Sequence, residues 1–104
     1  SGFNGQKFNF HGYIPIDKYD KELYIKKMMA SIKKEEETQI FIETPYRNEQ
    51  LLKDLLRILD KKIRLCLAIN LTSSKEKIIC DSIENWQSKK NISIDKQLCI
   101  FLIN

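Results

Sequence analysis

The sequence predicts an α/β fold: a mixed five-stranded sheet with helices packed on it, in the order β-α-β-α-β-β-α-β. Three observations carry this expectation. Short apolar runs recur at residues 38–43, 63–71 and 97–103, the length and character of strands buried in a sheet. Two longer stretches, at about residues 17–36 and from residue 45 onward, instead place apolar residues at helical spacing. Finally, Gly2, Gly5 and Gly12 are the only glycines. No Gly-rich turn therefore follows a later strand, which excludes a P-loop or a dinucleotide fingerprint.

The elements follow in order. Residues 1–6 read as a linker or loop. Residues 7–13 alternate, with Phe8 and Phe10 on one face, as a first strand does. Pro15 removes a donor and keeps Ile14 out of the helical region, so the exit is extended. In the first helix Tyr24, Met28 and Ile32 form an apolar line flanked by Leu23, Ile25 and Met29. Asp17, Asp20 and Glu22 precede Lys26, Lys27, Lys33 and Lys34, as the helix dipole favours.

The second strand, residues 38–43, carries Ile40-Phe41-Ile42 without a polar break, which predicts burial on both faces and a central position. Thr44 can cap the next helix with Pro45 in its first turn. That helix points Leu51, Leu52, Leu55, Ile58 and Leu59 to the core and the stripe Lys53, Arg57 and Lys61 outward. Residues 63–71 make a third strand and residues 76–81 a short fourth. Ser82 caps a short helix with Ile83 and Trp86 inward. A polar loop at 89–95 leads to the last strand, residues 97–103.

At 104 residues the chain suits one compact domain, residues 1–104, or a piece of something larger. No apolar run approaches a membrane span, and the N-terminus lacks a signal-peptide layout; a cytoplasmic protein without a membrane partner is expected. Cys66, Cys80 and Cys99 lie in apolar runs without C-x-x-C spacing, so buried free thiols are expected and no metal site. A net charge of +4 is compatible with a polyanionic partner or simply a solvated lysine-rich surface.

With the order in hand, three stretches resemble the C-terminal domain of the tetrapyrrole methylase superfamily of S-adenosylmethionine-dependent methyltransferases. They are most like the branch that methylates a cytidine ribose 2′-hydroxyl in small-subunit ribosomal RNA. Phe8-Asn-Phe-His-Gly-Tyr-Ile-Pro15 is similar to that branch's F-x-F-x-G-F-L-P. Phe41-Ile-Glu-Thr-Pro-Tyr-Arg47 resembles F-Y-E-A-P-H-R, and Ala68-Ile-Asn-Leu-Thr72 resembles A-R-E-L-T. Ser1-Gly2-Phe3 looks like the S-G-L that enters the domain. The chain departs from the pattern at Tyr46, where the family has His, and at Ile69, Asn70 and Ser73, where it has charged residues.

The resemblance implies that residues 1–104 are the C-terminal half of a two-domain enzyme, with S-adenosylmethionine held in a cleft shared with an N-terminal domain. The half alone is then expected to be inactive. The implied cofactor-binding residues are Glu43, Thr44, Ile69, Asn70, Leu71 and Thr72, at the ends of adjacent strands. The implied substrate-binding residues are His11, Gly12, Tyr13, Pro15 and Arg47, and no catalytic base is identified. His11 is the only histidine, hence the only ordinary near-neutral base. Its plainer reading is a half-exposed strand residue. Glu43 and Arg47 can equally form a structural pair across the turn.

Ribosomal RNA is the expected substrate, with a tetrapyrrole as the alternative. Two rival readings belong to other classes. One is a non-enzymatic basic nucleic-acid-binding module using Lys53, Arg57 and Lys61 with Tyr46 and Trp86. The other is a homodimerisation module, since half of a cleft exposes apolar surface.

Overall fold

The computed structural model describes residues 7–71, 73–89, 93–94 and 96–104. The expected linker at residues 1–6, Thr72 and part of the 89–95 loop lie outside them. The elements are β1 (Lys7–Tyr13), α1 (Lys18–Glu35), β2 (Glu37–Ile42), α2 (Asn48–Ile58), β3 (Arg64–Ile69), β4 (Lys77–Ser82), α3 (Ile83–Ser88) and β5 (Cys99–Ile103). This is the predicted order.

The sheet runs β1-β2-β5-β3-β4. β1 and β2 are parallel, whereas β5 lies antiparallel to both β2 and β3. The last strand in sequence is thus the middle strand in space. Phe41, Phe101 and Leu67 lie side by side across β2, β5 and β3, all fully buried. The rings of Phe41 and Phe101 are stacked, with centroids 5.5 Å apart. The helices cover this face. The buried positions of α1 are Lys21, Ile25, Met28 and Ile32, spaced as one helical stripe. α2 adds Leu51 and Leu55, and α3 adds Ile83 and Trp86, whose indole Nε1 donates to the Leu65 carbonyl at 2.9 Å.

Local chemistry explains the ends. The Asp17 carboxylate accepts from the amides of Tyr19 and Asp20, both at 3.1 Å, and so starts α1 as an N-cap. Glu36 closes the helix in the left-handed region, φ 54°, with its N–H on the Ile32 carbonyl. Ser82 caps α3 through the Asn85 amide at 3.2 Å.

Four expectations are corrected. Leu23 is 51% exposed, because the buried stripe of α1 is rotated toward Lys21, which pairs with Asp54 of α2. Thr44 does not cap α2: Arg47 N–H bonds the Thr44 carbonyl at 3.0 Å, making residues 44–47 a turn. Pro45 then occupies the turn's second position, which its fixed φ favours, and α2 starts at Asn48 without a side-chain cap.

The continuous apolar run of β2 is not covered on both faces, since the three helices share one side. The opposite face, with half-buried Ile40 and Ile42 and exposed Phe10, Tyr13 and Ile78, carries no helix among the described residues. Finally, Cys66 and Cys80 are not free thiols. They stand directly opposite each other in the β3–β4 register, Cα atoms 4.0 Å apart, and form a disulfide on that open face. The apolar runs disguised a cross-strand pair. Cys99 is free and buried, and burial pushes its thiol pKa up to about 11.

Candidate functional site

Because β5 is antiparallel to both neighbours, the carboxyl ends of β1, β2 and β3 meet at one edge of the sheet. Such an edge is where open α/β sheets place ligands. A cavity of about 250 Å³ opens there. Tyr13 comes from the end of β1, Ile42, Glu43 and Pro45 from the end of β2, and Ala68 and Leu71 from β3 and its exit. Leu98, Cys99 and Ile100, where the chain enters β5, complete the wall. The lining is largely apolar, with one carboxylate and one phenol.

Glu43 is the polar centre of this wall, with only 4% of its surface exposed. Its Oε1 accepts from the Thr44 amide at 2.7 Å and from Arg47 Nε at 3.3 Å. Its Oε2 is buried without a hydrogen-bond partner among the described residues, as are Thr44 Oγ1 and Asn48 Oδ1. Unpaired buried polar atoms cost stability, and of these three residues Glu43 is the one that lines the cavity, which marks its carboxylate as more than packing. The expected brace between Glu43 and Arg47 is present. The Arg47 side chain remains 41% exposed.

The remaining site candidates separate. Leu71 joins the cavity, but Ile69 is 4% exposed within the core cluster and is not part of the lining. Asn70, in the left-handed region at φ 53°, ties the two loops together: its amide N–H bonds the Leu98 carbonyl at 2.8 Å and its Nδ2 the Gln97 Oε1 at 2.8 Å. It is not itself part of the cavity lining. Pro15 does not line the cavity.

Gly12 follows a register irregularity in β1 and has φ +69°, a conformation in which a side chain is strained. Past this irregularity Tyr13 lies at the apolar cavity, while His11 lines a different one, between β1 and α1. The predicted substrate set is therefore split between two places.

Ala68, Leu98, Cys99 and Ile100 were not foreseen as site residues. Ala68 lies within the third motif, on β3; the signal that finds Leu98, Cys99 and Ile100 is strand order, since only the antiparallel insertion of β5 between β2 and β3 brings its entry to this edge. The basic stripe is altered as well. Arg57 bonds Glu22 at 3.0 Å and Asp54 at 3.5 Å, so its fork is engaged between helices.

The fold is that of a known methyltransferase class. The crystal structure of the methyltransferase CobJ superposes with a TM-score of 0.53 at 12% identity, covering 96% of this chain and 41% of that one. In sequence, the chain is 30% identical over 94 residues to the ribosomal RNA small subunit methyltransferase I of Thermotoga maritima, a match covering 86% of this chain and 40% of the relative. It is 33% identical over 78 residues to the protein of the same name from Leptospira borgpetersenii, covering 70% of this chain and 29% of the relative. The chain belongs to the tetrapyrrole methylase superfamily of methyltransferases. It spans well under half the length of these curated relatives. No family model matches it.

Proposed function

We propose that this chain supplies one wall of the cofactor and substrate cleft of an S-adenosylmethionine-dependent methyltransferase acting on a ribose 2′-hydroxyl of ribosomal RNA. An N-terminal domain supplies the opposite wall, and the chain alone is inactive. The observation that carries this reading is the cavity at the strand ends, where Tyr13, Glu43, Ala68 and Leu71 of the three motif segments converge.

The residues fit such a cofactor. An adenine takes apolar walls and a few fixed polar groups, which Pro45, Ala68, Leu71 and Ile100 and the backbone near Asn70 can provide. Glu43 offers an unpaired carboxylate oxygen to a hydroxyl or ammonium donor, after a small movement of the wall that covers it. When bound, the cofactor supplies an electrophilic methyl group. This chain's own contribution is to hold reactants in line and exclude water from them. The relatives, both named as ribosomal RNA methyltransferases, support the RNA reading over the tetrapyrrole one. Engagement of Arg57 with Glu22 and Asp54 speaks against the free basic stripe that a purely nucleic-acid-binding module requires.

Calorimetric titration of S-adenosylhomocysteine into the protein extended by its N-terminal domain, and into this chain alone, tests the proposal. Saturable heat with the extended protein and a much weaker response from the chain alone are expected. No heat and no thermal protection in the extended protein would refute the cofactor assignment.

A further inference from the structure

The second cavity, about 290 Å³, lies on the helix-covered side of the sheet between β1 and α1. Its wall is a directed polar chain. Gln39, fully buried, donates Nε2 to the Glu37 carboxylate at 2.9 Å and to the Glu37 carbonyl at 3.3 Å. That fixes its amide with Oε1 toward His11, whose Nε2 lies 2.5 Å away. An acceptor there requires the hydrogen on Nε2, so Nδ1 of the neutral ring is the acceptor for the Tyr24 hydroxyl at 2.6 Å. Both ring nitrogens are thereby engaged, which holds the ring in one orientation.

The rest of the lining is not locked. Lys27 and Ser31 stand one helical turn apart on α1 and line the cavity together. Neither has a hydrogen-bond or ion-pair partner among the described residues. Asn9, on the strand side, points its Nδ2 only weakly at Gln39 Oε1, 3.5 Å away. Lys27, Ser31 and Asn9 thus line a space to which no acidic side chain contributes. The one carboxylate in the network, Glu37, is turned onto the Gln39 amide. A fixed wall beside two unpartnered donors and one weakly held amide suits a tetrahedral oxyanion.

We propose that this cavity is a phosphoester-binding subsite, with Lys27, Ser31 and Asn9 as its donors and the His11–Gln39–Glu37 chain as its scaffold. As its source we assign a backbone phosphate of the RNA substrate, which rests on the functional reading above. β1 is an edge strand, so a polynucleotide whose ribose faces Tyr13 can pass around that single strand and set a phosphate on the other side. His11 is then a positioning residue for the subsite and no base in methyl transfer.

The single histidine gives a direct readout. Its ring resonances are followed by NMR while inorganic phosphate, and separately a short single-stranded oligoribonucleotide, is added at constant pH and ionic strength. A saturable shift is expected with each, and phosphate should displace the oligonucleotide from the histidine signal. Lys27→Ala should weaken phosphate on the order of tenfold or more, as loss of a charge-assisted bond does, and Ser31→Ala by less. Lys27 is exposed, so the variant's melting curve should match the parent's. A shift that does not saturate, or that Lys27→Ala leaves unchanged, overturns the site. Saturation by phosphate but not by the oligonucleotide overturns the RNA source. Cofactor titration of the extended protein reads the methyltransferase assignment separately.

Discussion

Lys21 of α1 donates to Asp54 of α2 at 3.0 Å, with both side chains about nine-tenths buried. The pair is the polar seam between the two long helices, and Gln50 and Arg57 complete the carboxylate's shell. Burial alone raises the Asp54 pKa most strongly. The bond and charge of Lys21, helped by Gln50 and Arg57, outweigh it and hold the carboxyl below its ordinary range. Replacing Asp54 by Ala strands a buried ammonium, so denaturant unfolding at neutral pH should show a loss of about 3 kcal/mol. A loss under about 1 kcal/mol would place the pair among surface bridges instead.

The same group sets an acid limit. A carboxyl whose folded pKa is depressed contributes its full stability above the unfolded value and loses it as pH falls through the folded one. Unfolding midpoints should therefore hold from neutrality down to about pH 4 and decline below it. In Asp54→Asn that decline should be shallower, as urea titrations at stepped pH will show.

Reduction of the Cys66–Cys80 bridge releases a 14-residue separation between neighbouring strands. Closing a loop of that size contributes about 3 kcal/mol in the chain-entropy account. Thermal melts with and without a dithiol should differ by several degrees, and Cys66→Ser should abolish the difference. Mass spectrometry of the alkylated, unreduced protein should find one reactive thiol after denaturation.

That thiol is Cys99. Raised by burial to about 11, it should resist iodoacetamide in the folded state at pH 8 and react promptly in denaturant, because only the thiolate is nucleophilic. Cys99 lines the strand-end cavity, so S-adenosylhomocysteine should slow its alkylation further in the two-domain protein.

Glu43→Gln retains an acceptor for the Thr44 amide but loses the charge that faces Arg47 and the unpaired oxygen. Stability should fall by about 1 kcal/mol or less, since the Arg47 partner is partly exposed. Cofactor affinity in the two-domain protein should fall about tenfold if that oxygen meets a charged donor. Equal losses in folding and affinity would reduce Glu43 to a brace.

Strand and helix order was legible because each element carries its own periodicity. Ile25, Met28 and Ile32 announce one face of α1, and Leu51 and Leu55 one face of α2. What escaped were features set by pairing across the sheet. Cys66 and Cys80 are 14 residues apart in sequence, and only the β3–β4 register makes them neighbours. The exposed second face was hidden because Ile40-Phe41-Ile42 reads alike whether its outer side meets a helix or nothing. At the site, the turn at Glu43–Arg47 and the end of β3 were visible as motifs. The contribution of Leu98 to Ile100 was not, since it depends on where β5 inserts. His11 was visible as the lone imidazole, but the register irregularity before Gly12 decides which cavity it serves.

The position of β5 also dictates the order in which this chain can acquire its shape. Until residues 99–103 have emerged from the ribosome, β1–β2 and β3–β4 are two separate ribbons, each lacking its inner neighbour. The final segment must thread between them and zip along both at once. Such long-range closure is slow, and it leaves two unsatisfied edges exposed while the wait lasts. The ligand-facing edge is therefore complete only after β5 has joined the β2 side of it to the β3 side.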